Sequence, residues 1–268
     1  MTLNSDEGNS NKQEGKSITE ESADNCLNIT TYYLDQNLDN LKHEIQFTNH
    51  MHIQYSNNFP NQEYEKFFNI YYDNFKEKNH DQTYDEILKE IKQDYPNFCT
   101  DINNLKISNT TVDIDHICTK CQICVHSKSQ LNSQYSIFLP QETLDQEYSI
   151  LISDESKGIF KNCHFCNNSN LFVFVDDFST VIFDHCIFEN NHISCFSASG
   201  SKITFIDCKF KNDKYISIFL KLSFCELYNS EFFGHEGKAI FSKDSSEIYI
   251  TKSRFINCKK GVATIIDR

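Results

Sequence analysis

The chain is poor in the residues that usually make tight turns and in the residue best suited to bind anions: among 268 residues there are 7 glycines, 3 prolines and two arginines, Arg254 and Arg268. Lysine and arginine together number 25 against 38 acidic residues, for a formal net charge of −13. Recognition of phosphate needs concentrated Lys and Arg that release counterions, so nucleic acid is excluded as the expected partner. The same balance disfavours an anionic membrane surface. No apolar run approaches the roughly 20 residues of a membrane helix, and the opening MTLNSDEGNSNKQEGKSITEESADN has neither a basic nor an apolar leader segment. A soluble, cytoplasmic chain is the expectation, with the cell surface as the alternative if an export signal is missing from this sequence. Twelve cysteines in that setting are expected to be thiols or metal ligands more often than disulfides.

Apolar material for a core is plentiful, with 23 Phe and 13 Tyr. Residues 1–26 have almost no apolar side chains and are expected to form a disordered acidic tail. Residues 27–104 are expected to be a helical N-terminal region. Within it, Tyr64, Phe67, Phe68, Tyr71 and Phe75 fall on one helical face, as do Tyr84, Ile87, Leu88, Ile91 and Tyr95. Thr83 and Glu86 form a capping box for the second segment and Pro96 supplies its stop, which predicts an antiparallel helical pair over 63–95.

From about residue 105 the period becomes strand-like, and from 158 a repeat takes over. FKNCHFCNN, FDHCIFENN, FIDCKFKND, LYNSEFFGH and ITKSRFINC begin at 160, 183, 205, 227 and 250. With the Cys or Ser as marker, Cys163, Cys186, Cys208, Ser230 and Ser253 recur every 22 to 23 residues. Two places on stand Phe165, Phe188, Phe210, Phe232 and Phe255. Three places before the marker stand Phe160, Phe183, Phe205, Leu227 and Ile250, and five before, Gly158, Val181, Ile203, Cys225 and Ile248. Four places after come Asn167, Asn190, Asn212, Gly234 and Asn257, and ten places after, Val173, Phe196, Ile218, Ile240 and Ala263. If each repeat is one turn of a solenoid, equivalent residues lie about 4.8 Å apart and like stacks on like. The Phe columns then form the core, the cysteines act as small apolar packers, and Asn amides pass hydrogen bonds from turn to turn.

The segments GKAIFSKDSSEIYITKSRFINC (237–258) and GVATIID (261–267) resemble the right-handed parallel β-helix of the pectin-lyase-like superfamily, and within it the repeats of polymorphic membrane proteins. The expected fold is therefore mainly β: a right-handed parallel β-helix over 105–268, with YSIFLP (135–140) and YSILIS (148–153) in an earlier coil, and a small helical region before it.

Enzymes of this fold need grouped carboxylates with basic partners. Asp176 and Asp177 are the only adjacent Asp pair in the coils, and Asp184 and His185, read as one coil on, are the residues that could approach them. These four are the catalytic candidates. No Gly-His-Gly or Arg-x-Lys accompanies them, so a polysaccharide lyase or hydrolase is the lesser reading. Cys118-x-x-Cys121 and Cys163-x-x-Cys166 form two knuckles of the kind that hold structural zinc, with Cys124, His116 and His126 nearby. Against zinc, Cys163 is already explained by stacking, and two coils between the knuckles place them roughly 10 Å apart. No cofactor is therefore the first expectation, with zinc as its rival.

The fold alone does not specify activity. The first functional expectation is a non-catalytic interaction or structural module that meets a protein partner or a second copy of itself through an uncapped C-terminal coil. An adhesin-type surface protein is the alternative.

Overall fold

The computed structural model describes residues 29–34, 45–46, 50–55, 99–115, 117–140 and 147–266. Both aromatic stripes assigned to a helical pair over 63–95 lie outside them, as does the tail 1–26. All regular structure among the described residues is strand.

Six turns of three strands each run from Gln130 to Ile266. The turn centred on Phe188 is typical: Thr180–Asp184 on a first face, Ile187–Glu189 on a second and Ile193–Ser197 on a third. Every strand pairs in parallel with its equivalents above and below, as in Val181↔Ile203 and Phe188↔Phe210. The first faces form a nine-stranded sheet that reaches back through Thr111–Asp115 and His50–Tyr55 to Ile29–Leu34. The parallel ladder thus begins well before residue 105, inside the region expected to be helical. The second and third faces merge where Cys118–His126 pairs with both Ile137–Pro140 and Tyr148–Ile152.

The interior is made of stacked columns. The rings of Phe165 and Phe188 are 4.8 Å apart and 10° from parallel, and the series continues through Phe210, Phe232 and Phe255 at 4.8, 4.4 and 4.7 Å. A second stack, Phe160, Phe183 and Phe205, meets the first edge-on. This combination of offset-stacked and edge-to-face contacts is what the ring quadrupoles favour. One column differs from expectation. Phe196 does not belong with Val173 and Ile218, because Cys195 pairs with both, and Phe196 pairs with Phe174 and Phe219 on the outer surface. A slip of one residue moves a side chain to the opposite face of a strand.

The scarcity of glycine is resolved at the corners. Among the described residues twenty-one other than glycine have positive φ, and eleven of them are Asn or Asp, the residues that best tolerate the left-handed region. Asn167, Asn190, Asn212, Gly234 and Asn257 sit there at φ of 55° to 70°. Their recurrence follows from this backbone demand more than from amide stacking, although Asn190 Nδ2 does donate to Asn167 Oδ1 at 3.4 Å. Glycine is needed elsewhere for space: a Cβ on Gly237 would lie 1.6 Å from the carbonyl oxygen of Tyr215.

Candidate functional site

The corner between the first and second faces carries a cluster of ionisable groups, Asp184, His185 and Asp207. Strand Thr180–Asp184 delivers Asp184 to its end, and the left-handed residues that follow each strand here are Tyr135, Asn162, His185, Asp207, Asn229 and Lys252. Stacking of successive turns therefore sets Asp207 directly beside His185. The Nδ1 of His185 lies 2.6 Å from Asp184 Oδ1 and its Nε2 lies 3.9 Å from Asp207 Oδ2. Asn229 donates from Nδ2 to Asp207 Oδ1. One ligand atom from each of Asp184, His185 and Asp207 lies within 4.8 Å of the others. An imidazole held between two carboxylates can shuttle protons or contribute ligands to a divalent cation. It stands on a convex corner with His185 about half exposed.

The other two catalytic candidates are elsewhere. Asp176 and Asp177 occupy the corner that follows the third-face strand Leu171–Val175 and precedes Thr180–Asp184, at the opposite end of that first-face strand from Asp184. The five-residue strand between them spans roughly 13 Å at about 3.3 Å per residue, so the four residues form two sites and not one. Asp177 is exposed at φ 49°, a solvated turn position.

The second knuckle does not converge on a point. Cys163 faces inward at the corner, its thiol donating to the carbonyl of Lys161 at 3.3 Å and near Ser133 O at 3.5 Å. Cys166 lies three residues on, at the far end of His164–Cys166, and points to the outside of the coil. The backbone of Cys118 pairs with Ile137, which pairs with His164, so the knuckles are two ladder steps apart. Zinc holds each sulfur at about 2.3 Å, a separation that this arrangement of Cys163 and Cys166 does not offer.

The marker column has a chemical role beyond small size. Cys186 and Cys208 donate to the carbonyls two residues before them and to Phe160 O and Phe183 O of the turn below. Ser230 and Ser253 donate to Tyr228 O and Thr251 O in the same way. Cys and Ser interchange because both are small donors. A second ladder escaped the sequence reading: Thr110, Ser129, Ser156, Ser179, Ser201, Ser223 and Ser246 each precede a first-face strand. The hydroxyls of Ser129, Ser156, Ser179, Ser201 and Ser246 accept the backbone N–H of the ladder residue one turn before, as in Ser156 N to Ser179 Oγ at 3.1 Å and Ser179 N to Ser201 Oγ at 3.2 Å, while Ser223 Oγ donates to Ser197 O.

Two buried polar groups complete the inventory. Asn168, Asn191, Asp213 and His235 stack at one inner corner, each accepting a backbone N–H from the one before. Burial pushes the Asp213 carboxyl up to about 7, although Ser217, Ser194 and the Asn191 N–H donate to it. Burial pushes His235 down to about 4. On the second face Glu189 lies 2.8 Å from Lys211 Nζ and 3.6 Å from His164 Nε2. Burial alone would raise the Glu189 carboxyl, but His164 and Lys211 hold it at about 2.

The outer surface of the third face carries a row of half-buried aromatics, in register Phe174, Phe196, Phe219 and Phe241, with Tyr148 beside its start. Their centroids are 4.9, 4.6 and 5.2 Å apart. Lys238 and Lys243 place their ammonium groups 5.1 and 5.4 Å from the Phe241 and Phe219 ring centres. His192 and Tyr215 stack alongside at 4.9 Å.

Compared with known proteins, residues 148–267 match the family model described as right handed beta helix region. No curated protein and no solved structure matched. The segment is a right-handed parallel β-helix, consistent with the pectin-lyase-like fold that the repeats resemble.

Proposed function

We propose that this β-helix is a non-catalytic interaction module whose binding wall is the outer third face. The observation that carries the reading is the row Phe174, Phe196, Phe219 and Phe241, four aromatic side chains on a rigid sheet that point away from the core and keep part of their surface in water. Contiguous outward apolar surface of this kind marks protein contact sites. Aromatic anchors are also what interfaces are enriched in. Phe174, Phe196 and Phe219 stack on one another, and Phe241 meets Phe219 edge-on.

The lesser reading, a carbohydrate-active enzyme, would use the Asp184–His185–Asp207 corner. Photo-crosslinking from position 196 or 219 of the full chain, in extract of its own cells, separates the two. Discrete protein adducts, or adducts to a second copy, that disappear with Phe219→Asp while Asp184→Asn leaves them intact are the expected result. No adducts from either position, together with a glycan-cleaving activity abolished by Asp184→Asn, would replace the module by the enzyme.

A further inference from the structure

The outward row of the third face does not begin at Phe174. The register carries it back to Leu151, so that Leu151, Phe174, Phe196, Phe219 and Phe241 form one column centred on Phe196. Beside this column, at the corner that leads to the first face, charges are sorted by sign along the solenoid axis. Asp154 follows the strand of Leu151, and Asp176 and Asp177 follow that of Phe174. Lys221 and Lys243, in register with each other, end the strands of Phe219 and Phe241. Between the two groups the Phe196 turn has only Ala198, Ser199, Gly200 and Ser201 at this corner. Two neighbours bear on the balance: Glu155 is paired with Lys128 at 3.2 Å, and Asp244 follows Lys243.

The apolar centre of the corner is both exposed and strained. Phe178 and Leu222 are 71% and 51% exposed and stand at φ of 57° and 51°, which bulky side chains seldom adopt. Phe178 lies against Gly200, where a Cβ would meet its ring at 2.5 Å. Asn or Asp would hold these left-handed positions at less cost and without apolar surface in water, so the choice of Phe and Leu points to contact.

These features share one symmetry. Half a turn about an axis lying over the Phe196 strand and parallel to it reverses the order of the turns. It sets Phe174 against Phe219, Leu151 against Phe241, Asp176 and Asp177 against Lys221, Asp154 against Lys243, and Phe178 towards Leu222. A surface that matches its own rotated image is what an isologous contact requires. We propose that the third face packs on the third face of a second copy of this chain, with the two solenoid axes antiparallel and Phe196 on the two-fold. The inference rests on the third face being the binding wall and names its partner. The row spans four ladder steps, roughly 19 Å, by one strand of roughly 16 Å. Contact of this extent falls at the small end of interface areas, so reversible dimerisation with a Kd of about 10 to 100 µM is expected.

Sedimentation of the full chain with thiols kept reduced tests the contact. The natural chain should pass from monomer to dimer across that range. Asp154→Lys with Asp177→Lys, and separately Lys221→Glu with Lys243→Glu, set like charges opposite one another and should each weaken the dimer by about tenfold or more. Mixing the two variants should restore it as a heterodimer, because their charges are then complementary. A natural chain still monomeric at about 500 µM overturns the proposal. So do dimers that both charge variants form unaltered, and variants that stay apart when mixed. If either variant does not fold, a photo-crosslinker at position 219 of the otherwise natural chain decides. Adducts to the Phe174 turn of a second copy support the two-fold; adducts to its Phe219 turn, to another protein alone, or to nothing refute it. Adducts to another protein alone leave the third face a binding wall and remove only its self-pairing, whereas no adducts from position 196 or 219 remove both.

Discussion

Replacing Phe188 by alanine tests the stacked core at its centre. The ring is fully buried, sandwiched at 4.8 Å between Phe165 and Phe210, with Phe183 and Phe205 edge-on at 5.1 and 5.8 Å. A rigid β-helix cannot collapse onto the hole, because the 22-residue ladder on either side fixes the spacing, so the cost lies in the upper part of the range for Phe→Ala, about 4 kcal/mol. Phe255 is the internal comparison: it stacks on Phe232 alone, at 4.7 Å, and is only partly buried. Its truncation should cost about 1 to 2 kcal/mol. Urea unfolding of the full chain, with thiols kept reduced and fluorescence and circular dichroism both followed, reads the difference. With a slope of about 2.5 kcal/mol/M, Phe188→Ala lowers the midpoint by about 1.5 M. Phe255→Ala should loosen the last turn and move the main transition by less than half as much, since turns interact with nearest neighbours. Equal midpoint shifts for the two variants would refute the reasoning, because the cost would then not follow the number of stacked partners.

The remaining predictions concern the polar ladders. Ser179→Ala removes the nearer of the two acceptors of the Ser156 N–H, Ser179 Oγ at 3.1 Å and Ser153 O at 3.3 Å, and the loss of one buried hydrogen bond costs about 1 kcal/mol; hydrogen exchange at the Ser156 amide should accelerate before that of Phe188, and equal acceleration at both would sink the local account. Asp213→Asn tests the buried carboxyl. Its folded value, raised to about 7 from an ordinary 3.8, means that its contribution to stability is present in full below about pH 4 and is lost as pH rises towards and through 7. The asparagine variant should therefore gain on the natural chain as pH rises across that window, read as the difference in urea midpoint at each pH, and a constant difference from pH 4 to 8 would contradict it.

The residue pattern made the solenoid legible because an obligatory contact repeats: Phe165, Phe188, Phe210, Phe232 and Phe255 must each fit the ring below, so the same side chain recurs at the same offset. Corner residues were legible as a column but not as a cause. Asn167, Asn190 and Asn212 repeat because the backbone turns left-handed there, and a sequence reports the residue without the angle. The serine ladder from Ser129 to Ser246 was hidden because its spacing includes intervals of 27 as well as 22 and 23, the longest arising where residues 141–146 are inserted between the second and third faces. Phe196 was assigned to the core because the marker-to-strand distance shortens by one residue in its turn, and an offset counted from the marker cannot register a slip beyond the intervening loop. Asp207 was missed for a different reason. It is unremarkable beside Cys208 in sequence, and only the column of residues preceding each marker, Asn162, His185, Asp207 and Asn229, would have placed it against His185.

Where binding can reside follows from how the three outer faces divide the labour. The inward columns and corner donors are committed to the fold, since each side chain there serves the turns above and below it. The first face carries polar ladders such as Lys202 to Glu226 at 2.7 Å and Asn132 to Asp113 at 2.7 Å. The outward side chains of the second face are buried from Ile137 to Lys209, so they offer no exposed surface there. The first face shows exposed Phe224, Tyr228 and Tyr249 in its last two strands, whereas the third face carries a continuous row of large aromatic side chains, Phe174 to Phe241, that the core does not use. A substitution there should therefore separate binding from stability: Phe219→Asp leaves every inward column and every corner hydrogen bond in place, so a loss of adducts without a shift in urea midpoint is the signature of a wall built for contact. A fall in stability as large as that of Phe188→Ala would instead make the aromatic row part of the scaffold.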